Sequence, residues 1–324
     1  MSKIEIPDLR VSSISRGNTS PIVPDSGQSS PSLWSLTQQQ TLHALQCGAL
    51  QSIETDYAFV EQNGVRFLVR ILTNLVRKEK ATKKQQQLQN KGKDFNPFLP
   101  YEKDLFVSDL SSTHLCLLNK FNVVNHHLLI VTREFEEQEN WLNFNDFFAL
   151  WMGLREIDGL AFFNGGKTAG ASQRHKHLQL IPMPLSPEGK AIPMEAILPQ
   201  TNPDGAKTIA DLPFRNGFSP LKLDPSLPPT EAANRLLSCY LMLLDQVGDE
   251  QQPRRDRNPI AYNLLITRRW MLLIPRIQEN TNSISINALG FAGSLFVKNK
   301  SQFDLLKQKG PMTLLQNVGY PSNS

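Results

Sequence analysis

The stretch NGGKTAGASQRHKHLQLIPMPL, Asn164 to Leu185, governs how this chain folds. At its centre His175, His177 and Gln179 occupy every second position. In an extended strand that spacing puts the three polar side chains on one face and turns Leu178 and Leu180 to the other, toward a core. Pro182 and Pro184 follow closely and argue against a helix. Ahead of the strand, Asn164 to Gln173 is a run of small residues and amides. Its small bulk lets backbone N–H groups approach an anion and form a phosphate-binding nest. Paired imidazoles beside such a cradle point to phosphoryl or nucleotidyl transfer.

Other chemistries fit the same residues less well. A single strand histidine is usually structural, but two with a Gln on one face, directly after such a loop, are a rarer combination. Paired histidines can hold zinc, yet Cys47, Cys116 and Cys239 stand singly and no C-x-x-C accompanies them. Gly166-Lys167-Thr168 ends like a Walker A loop. That motif needs glycine at 161, where Ala161 stands, and a helix straight after Thr168, where loop-like sequence continues.

Ser172 to Gln179, SQRHKHLQ, resembles the signature of the diadenosine tetraphosphate phosphorylases, also called ATP adenylyltransferases. These belong to the histidine-triad superfamily, on the branch that includes galactose-1-phosphate uridylyltransferase. On that branch Gln replaces the third histidine, as Gln179 does here. The resemblance extends from about Gly48 to Lys298. It implies an α+β fold, mainly antiparallel sheet with flanking helices, of histidine-triad-like architecture.

It also implies roles. His177 takes the nucleophile's position, with His175 in support. The nucleotide-binding set comprises Asn164, Gly170, Ala171, Ser172, Gln173 and Gln179 around the motif. Lys78 closes the segment FLVRILTNLVRK, and Asn119 and Lys120 stand in NKFNVV. Asn287, Ala288, Leu289, Ser294 and Lys298 lie in the glycine-containing stretch NALGFAGSLFVK, which resembles the family segment that closes over the substrate. Two departures stand out. Ala171 replaces a frequent Ser, which removes one side-chain phosphate contact, and Ser294 replaces a frequent Met. The uridylyltransferase cousins hold zinc through a Cys pair that this chain lacks, so no structural metal is expected.

A net charge of +4 is mildly basic, which suits anionic substrates without requiring nucleic acid. Isolated cysteines fit a reducing compartment. With no signal-like or membrane-length apolar run, a cytoplasmic protein with no membrane partner is expected. The expected partners are Ap4A, ATP, ADP and phosphate. No cofactor is required of the protein, Mg²⁺ entering, if at all, with the polyphosphate. A monomer is compatible with all of this.

Along the chain, residues 1–32 read as a disordered Ser- and Pro-rich tail. Regions 33–190, carrying the motif, and 191–324, adenylyltransferase-like, follow. A helix is expected over Leu33–Leu50. Asn63-Gly64 signals a hairpin within Tyr57–Val76, and Lys78–Lys93 reads as a basic surface loop. Strands are expected within Leu115–Thr132, with His126 and His127 structural, and a helix over Asn145–Leu160 with Asn145 as its cap. Ser186–Pro229 reads as irregular and Glu231–Val247 as helical. Gly248–Asn258 is a polar loop, Tyr262–Arg276 a hairpin turning at Arg268-Arg269, and Ser301–Lys309 a helix before a polar tail.

The chemistry implied is attack by His177 on the α-phosphorus of a dinucleoside polyphosphate, release of ATP, and attack of phosphate on the covalent His–AMP to give ADP. The N–H groups of Gly170, Ala171, Ser172 and Gln173 are the expected oxyanion donors. Gln179 can donate a hydrogen bond but cannot shuttle a proton, which favours transfer to phosphate over water. The alternatives are a uridylyl transferase of the same branch and a non-catalytic nucleotide sensor.

Overall fold

Asn63 and Gly64 both adopt positive φ, 50° and 76°, as a two-residue type I′ hairpin requires. They join β1 (Thr55–Gln62) to β2 (Val65–Leu72) in an antiparallel register running from Gln62↔Val65 to Thr55↔Leu72. Strand β13 (Ser294–Val297) adds parallel to β2 and completes a three-stranded sheet. This computed structural model describes residues 31–72, 96–199, 207–248 and 260–322. All but the last two residues of the expected N-terminal tail, 1–32, and the basic run Lys78–Lys93, with Lys78 itself, lie outside the described residues, as does most of Gly248–Asn258; Ser32, at the end of that tail, caps the helix that begins at Leu33.

The second sheet has eight strands: β3 (Phe106–Asp109), β4 (His114–Leu118), β5 (Leu128–Thr132), β6 (Gly159–Gly165), β7 (His177–Pro182), β8 (Gly217–Pro220), β9 (Tyr262–Ile266) and β10 (Trp270–Pro275). Their order across the sheet is β3-β4-β5-β7-β6-β9-β10-β8, and every neighbouring pair is antiparallel. Two short strands, β11 (Asn280–Thr281) and β12 (Ile284–Ser285), pair separately. The architecture is the expected α+β fold with mainly antiparallel sheet.

Both faces of the large sheet are covered, so its central strands read as continuous apolar runs; all seven residues of β6 are buried. Against one face pack helices α1 (Leu33–Gln46), α2 (Phe144–Leu154) and α3 (Pro229–Val247), in a core that includes Leu178 and Leu180. The other face carries Phe162 and Ile181. It packs with the small sheet, the short helix α4 (Ala288–Phe291) and α6 (Pro311–Val318), beside which lies α5 (Lys300–Lys309).

Several boundaries differ from expectation for local reasons. The cap of α2 is Asn143, not Asn145: its Oδ1 accepts from the N–H groups of Asn145 and Asp146, while Asp146 accepts from the Asn143 N–H in a reciprocal capping box. That helix stops at Leu154, and Gly159 already belongs to β6. The stretch Ser186–Pro229 contains a 3₁₀ turn, Pro193–Ala196, and the edge strand β8. The tail after Lys309 contains α6, with Met312, Leu314, Leu315 and Val318 buried.

Candidate active site

Strand alternation delivers His177 and Gln179 to one side of β7, where both line a cavity of about 1720 Å³. That exceeds the roughly 300–1,000 Å³ usual for small-molecule sites and leaves room for an extended ligand. His177 Nδ1 lies 2.8 Å from the carbonyl oxygen of His175. A carbonyl can only accept, so Nδ1 carries the proton and Nε2 keeps a free lone pair. Burial pushes the His177 imidazole down to about 4, against a smaller opposing effect of that hydrogen bond. The ring is therefore neutral near pH 7.

His175 precedes the strand, and its ring does not line the cavity. Its Nε2 donates to the Thr132 carbonyl (2.8 Å), and its Nδ1 accepts from Asn96 Nδ2 (2.9 Å). The Asn96 amide is oriented by the Phe98 N–H, which donates to Asn96 Oδ1 (3.0 Å). Phe98 then packs its ring against both imidazoles, with centroids 5.6 Å from His175 and 5.4 Å from His177. His175 thus supports its neighbour through its carbonyl and through shared packing.

The loop after β6 forms a 3₁₀ turn, Lys167–Ala169, closed by Gly170 at φ 89°. A Cβ on Gly170 would stand 2.9 Å from the Ile286 carbonyl oxygen, so glycine is required there both by conformation and by space. The turn consumes two of the four expected oxyanion donors. The N–H of Gly170 donates to Lys167 O and that of Ala171 to Gly166 O. The N–H groups of Ser172 and Gln173 carry no hydrogen bond to another described residue, and both residues line the cavity.

Residues 24–200 match the family described as the Ap4A phosphorylase N-terminal domain, and residues 210–321 match the ATP adenylyltransferase C-terminal domain. The chain belongs to the Ap4A phosphorylase family. From Saccharomyces cerevisiae, Diadenosine 5',5'''-P1,P4-tetraphosphate phosphorylase 2 is 28% identical over 256 residues, covering 71% of this chain and 77% of that one. Protein APA1 of the same yeast is 28% identical over 226 residues, covering 64% and 69%. A crystal structure of yeast Ap4A phosphorylase Apa2 has the same fold, with a TM-score of 0.74 at 22% identity over 90% of this chain and 95% of that one. The structure of Apa2 in complex with Ap4A gives 0.72 at 21% identity, over 90% and 98%.

The other residues that the family resemblance singled out divide into two groups. Asn119, Lys120, Asn164, Asn287, Leu289 and Lys298 line the cavity with His177. Lys120 is held by Glu102 (2.6 Å), whereas Lys167 and Lys298 form no ion pair with a described residue and are the freer cations for a polyphosphate. Ala288 and Ser294 are fully buried and do not line the cavity. The Ala288 N–H donates to Asn164 Oδ1 (3.0 Å), and the Ser294 hydroxyl has no partner among the described residues.

Sequence reasoning missed Gln138. Its Oε1 accepts the His177 N–H (2.8 Å), and its Nε2 donates to Asn164 O and His177 O, clamping the strand to the loop. It also missed Asn263, which donates to Asn164 Oδ1 and Ala169 O, each at 2.8 Å. Arg276, buried behind it, donates to Asn263 Oδ1 and holds that amide in place. Burial lowers this guanidinium to about 9. None of these residues belongs to a local motif; each meets its partner only once the chain is folded.

Among the described residues one group, His43, Cys47 and Asp104, has metal-ligand composition. All three are exposed and none lines the cavity. The three cysteines are free. No helix among the described residues is long and apolar enough to cross a membrane.

Proposed function

We propose that this chain catalyses reversible phosphorolysis of diadenosine tetraphosphate, giving ATP and ADP through a covalent adenylyl-histidine. The observation that carries this is the state of His177: a neutral ring whose Nδ1 proton is committed to a carbonyl, with its Nε2 lone pair left for the cavity. Nε2 forms a bond to the α-phosphorus, the bond from that phosphorus to the bridging oxygen breaks, and ATP leaves with the electron pair. An oxygen of inorganic phosphate then attacks the same phosphorus, the N–P bond breaks, and ADP departs. The lone pair returns to Nε2, so one nucleophile serves both steps and the kinetics are ping-pong.

The Ser172 and Gln173 N–H groups are the candidate donors to the α-phosphoryl oxygens, and Lys167 and Lys298 the candidate contacts to the rest of the polyphosphate. No metal is built into this scheme; Mg²⁺ would travel with the polyphosphate. Nucleotide substrates and three unpaired cysteines support a cytoplasmic setting.

The test is to supply Ap4A with and without phosphate and identify the products. Phosphate-dependent formation of ADP plus ATP is expected, with labelled AMP trapped on the wild type when phosphate is omitted. His177→Ala should trap none. Cleavage at the same rate without phosphate would replace this proposal with hydrolysis, and adenylate on the Ala variant would remove His177 as nucleophile.

A further inference from the structure

The side chain of Gln179 reaches the cavity beside His177. Which end of its amide faces inward decides whether it offers N–H or C=O to a phosphoryl oxygen. A chain of donors and acceptors fixes that choice, starting from a group with only one possible role. The backbone N–H of Phe121 donates to Asn119 Oδ1 (3.3 Å). The oxygen end of Asn119 therefore faces Phe121, and its Nδ2 faces His127 Nδ1 (3.2 Å). Nδ2 carries only protons to share, so Nδ1 must accept and the ring proton resides on Nε2. His127 Nε2–H then donates to Gln179 Oε1 (2.9 Å). That anchors the oxygen end of Gln179 in the protein. Its Nε2 has no described partner, yet it is not among the buried, unsatisfied polar atoms, so it opens to the cavity.

We propose that His127 is a positioning residue: through the relay from Asn119 it locks the Gln179 amide with its NH₂ end toward the phosphoryl group, making the position beside His177 a fixed hydrogen-bond donor. His127 is buried at 7% exposure and its ring packs against Phe162 (5.8 Å between centroids). Burial also pushes its imidazole down to about 4, which keeps the single Nε2 proton that the relay requires. A doubly protonated ring would set two donors against each other at Asn119. A donor held in place before the substrate arrives needs no reorganisation as charge develops on the α-phosphoryl oxygens.

The inference rests on the adenylyl-transfer reading of the same site, and its test has an arm that needs no turnover. In the free wild-type protein, ¹⁵N NMR of the His127 ring should show the Nε2-protonated tautomer; the Nδ1-protonated form overturns the proposal. The kinetic arm uses three variants. His127→Phe keeps a ring but no donor and should lower kcat for adenylyl transfer about 10- to 100-fold, with a smaller change in KM. His127→Gln offers one acceptor and one donor in the same order and should restore most of that rate. His127→Glu only accepts, so it should fall at least as far as the Phe variant. Equal rates for the Phe and Gln variants, or a Glu variant as active as the Gln one, overturn the proposal. An inactive wild type with the expected tautomer would sink the transfer reading and leave the lock standing.

Discussion

At the scale of a single residue, His177 shows how position prepares an ordinary imidazole for the nucleophilic role proposed for it. Its proton is committed to the His175 carbonyl and its basicity is suppressed by burial. A folded pKa of about 4 lies below the usual value of about 6.5. Protonation, which would occupy Nε2, is therefore postponed to acid. The value of kcat/KM for adenylyl transfer, which reports the free enzyme, should stay flat from about pH 7.5 to about 5.5 and fall only toward the folded pKa. A stopped-flow profile of adenylate formation without phosphate checks this, and an acid limb near the ordinary imidazole value would mean that Nε2 is not withdrawn from water. The H-x-H-x-Q spacing was enough to place His177 and Gln179 on one cavity-lining face, while the role proposed for His177 came from the family resemblance. Gln138, Asn96 and His127 could not be placed so, because each acquires its role from a partner 39 to 79 positions away in the chain.

At the scale of the element, β7 poses a problem that alternation leaves unsolved. The face that carries Leu178 and Leu180 into the core also carries Lys176, at zero exposure. The ammonium is accommodated by Asp146 Oδ2 (2.7 Å), Glu136 (3.1 Å) and the Trp141 carbonyl (3.0 Å), while Asp146 Oδ1 pairs with His114 Nε2 (3.1 Å). Burial alone would raise the Asp146 carboxyl, but the hydrogen bond from His114 and the charge of Lys176 outweigh it and hold the group below its usual value. Because Asp146 also closes the capping box of α2, one carboxylate ties the start of that helix to the strand that carries His177. Lys176→Met leaves that carboxylate without its cation and should cost about 3–5 kcal/mol in denaturant titrations. Adding Asp146→Asn, which removes the charge but keeps a side-chain oxygen for the cap, should recover part of the loss; a double variant no better than the single would argue that packing, not charge, is what Lys176 supplies.

The same scale explains what was legible in the chain. Asn63-Gly64 announced its hairpin because few residues tolerate positive φ in succession. Helix α6 was invisible because Gly310-Pro311 reads as a stop, when proline at the first helical position is equally a start. Nothing in the composition of Pro193–Ala196 or Gly217–Pro220 marks them as ordered, since their conformations come from the sheet and helices around them.

At the scale of the whole molecule, neutral imidazoles buried at the site make stability depend on pH. The folded pKa values of His127 and His177 are both lowered to about 4, and those of His175 and, away from the site against α1, His126 are lowered too, in each case by burial first. A depressed folded pKa means that the unfolded chain binds more protons in the interval, so their contribution is complete above about pH 6.5 and is lost as the pH falls toward about 4. Tm measured across that window should drop steeply in the wild type and less steeply in a His127→Phe, His177→Phe double variant; equal slopes would place the titration elsewhere.

The seam between β6 and β9 has a consequence of its own. Phe162 pairs with Leu265 and Asn164 with Asn263, so the strand that leads into the phosphate loop is zipped to one lying beyond residue 210. The two family matches are thus interleaved in one sheet, although the chain passes between them only once. A polypeptide broken between residues 199 and 207 should behave as a split enzyme: inert while the pieces are apart, since each exposes half a core, and active again when they are mixed and allowed to anneal.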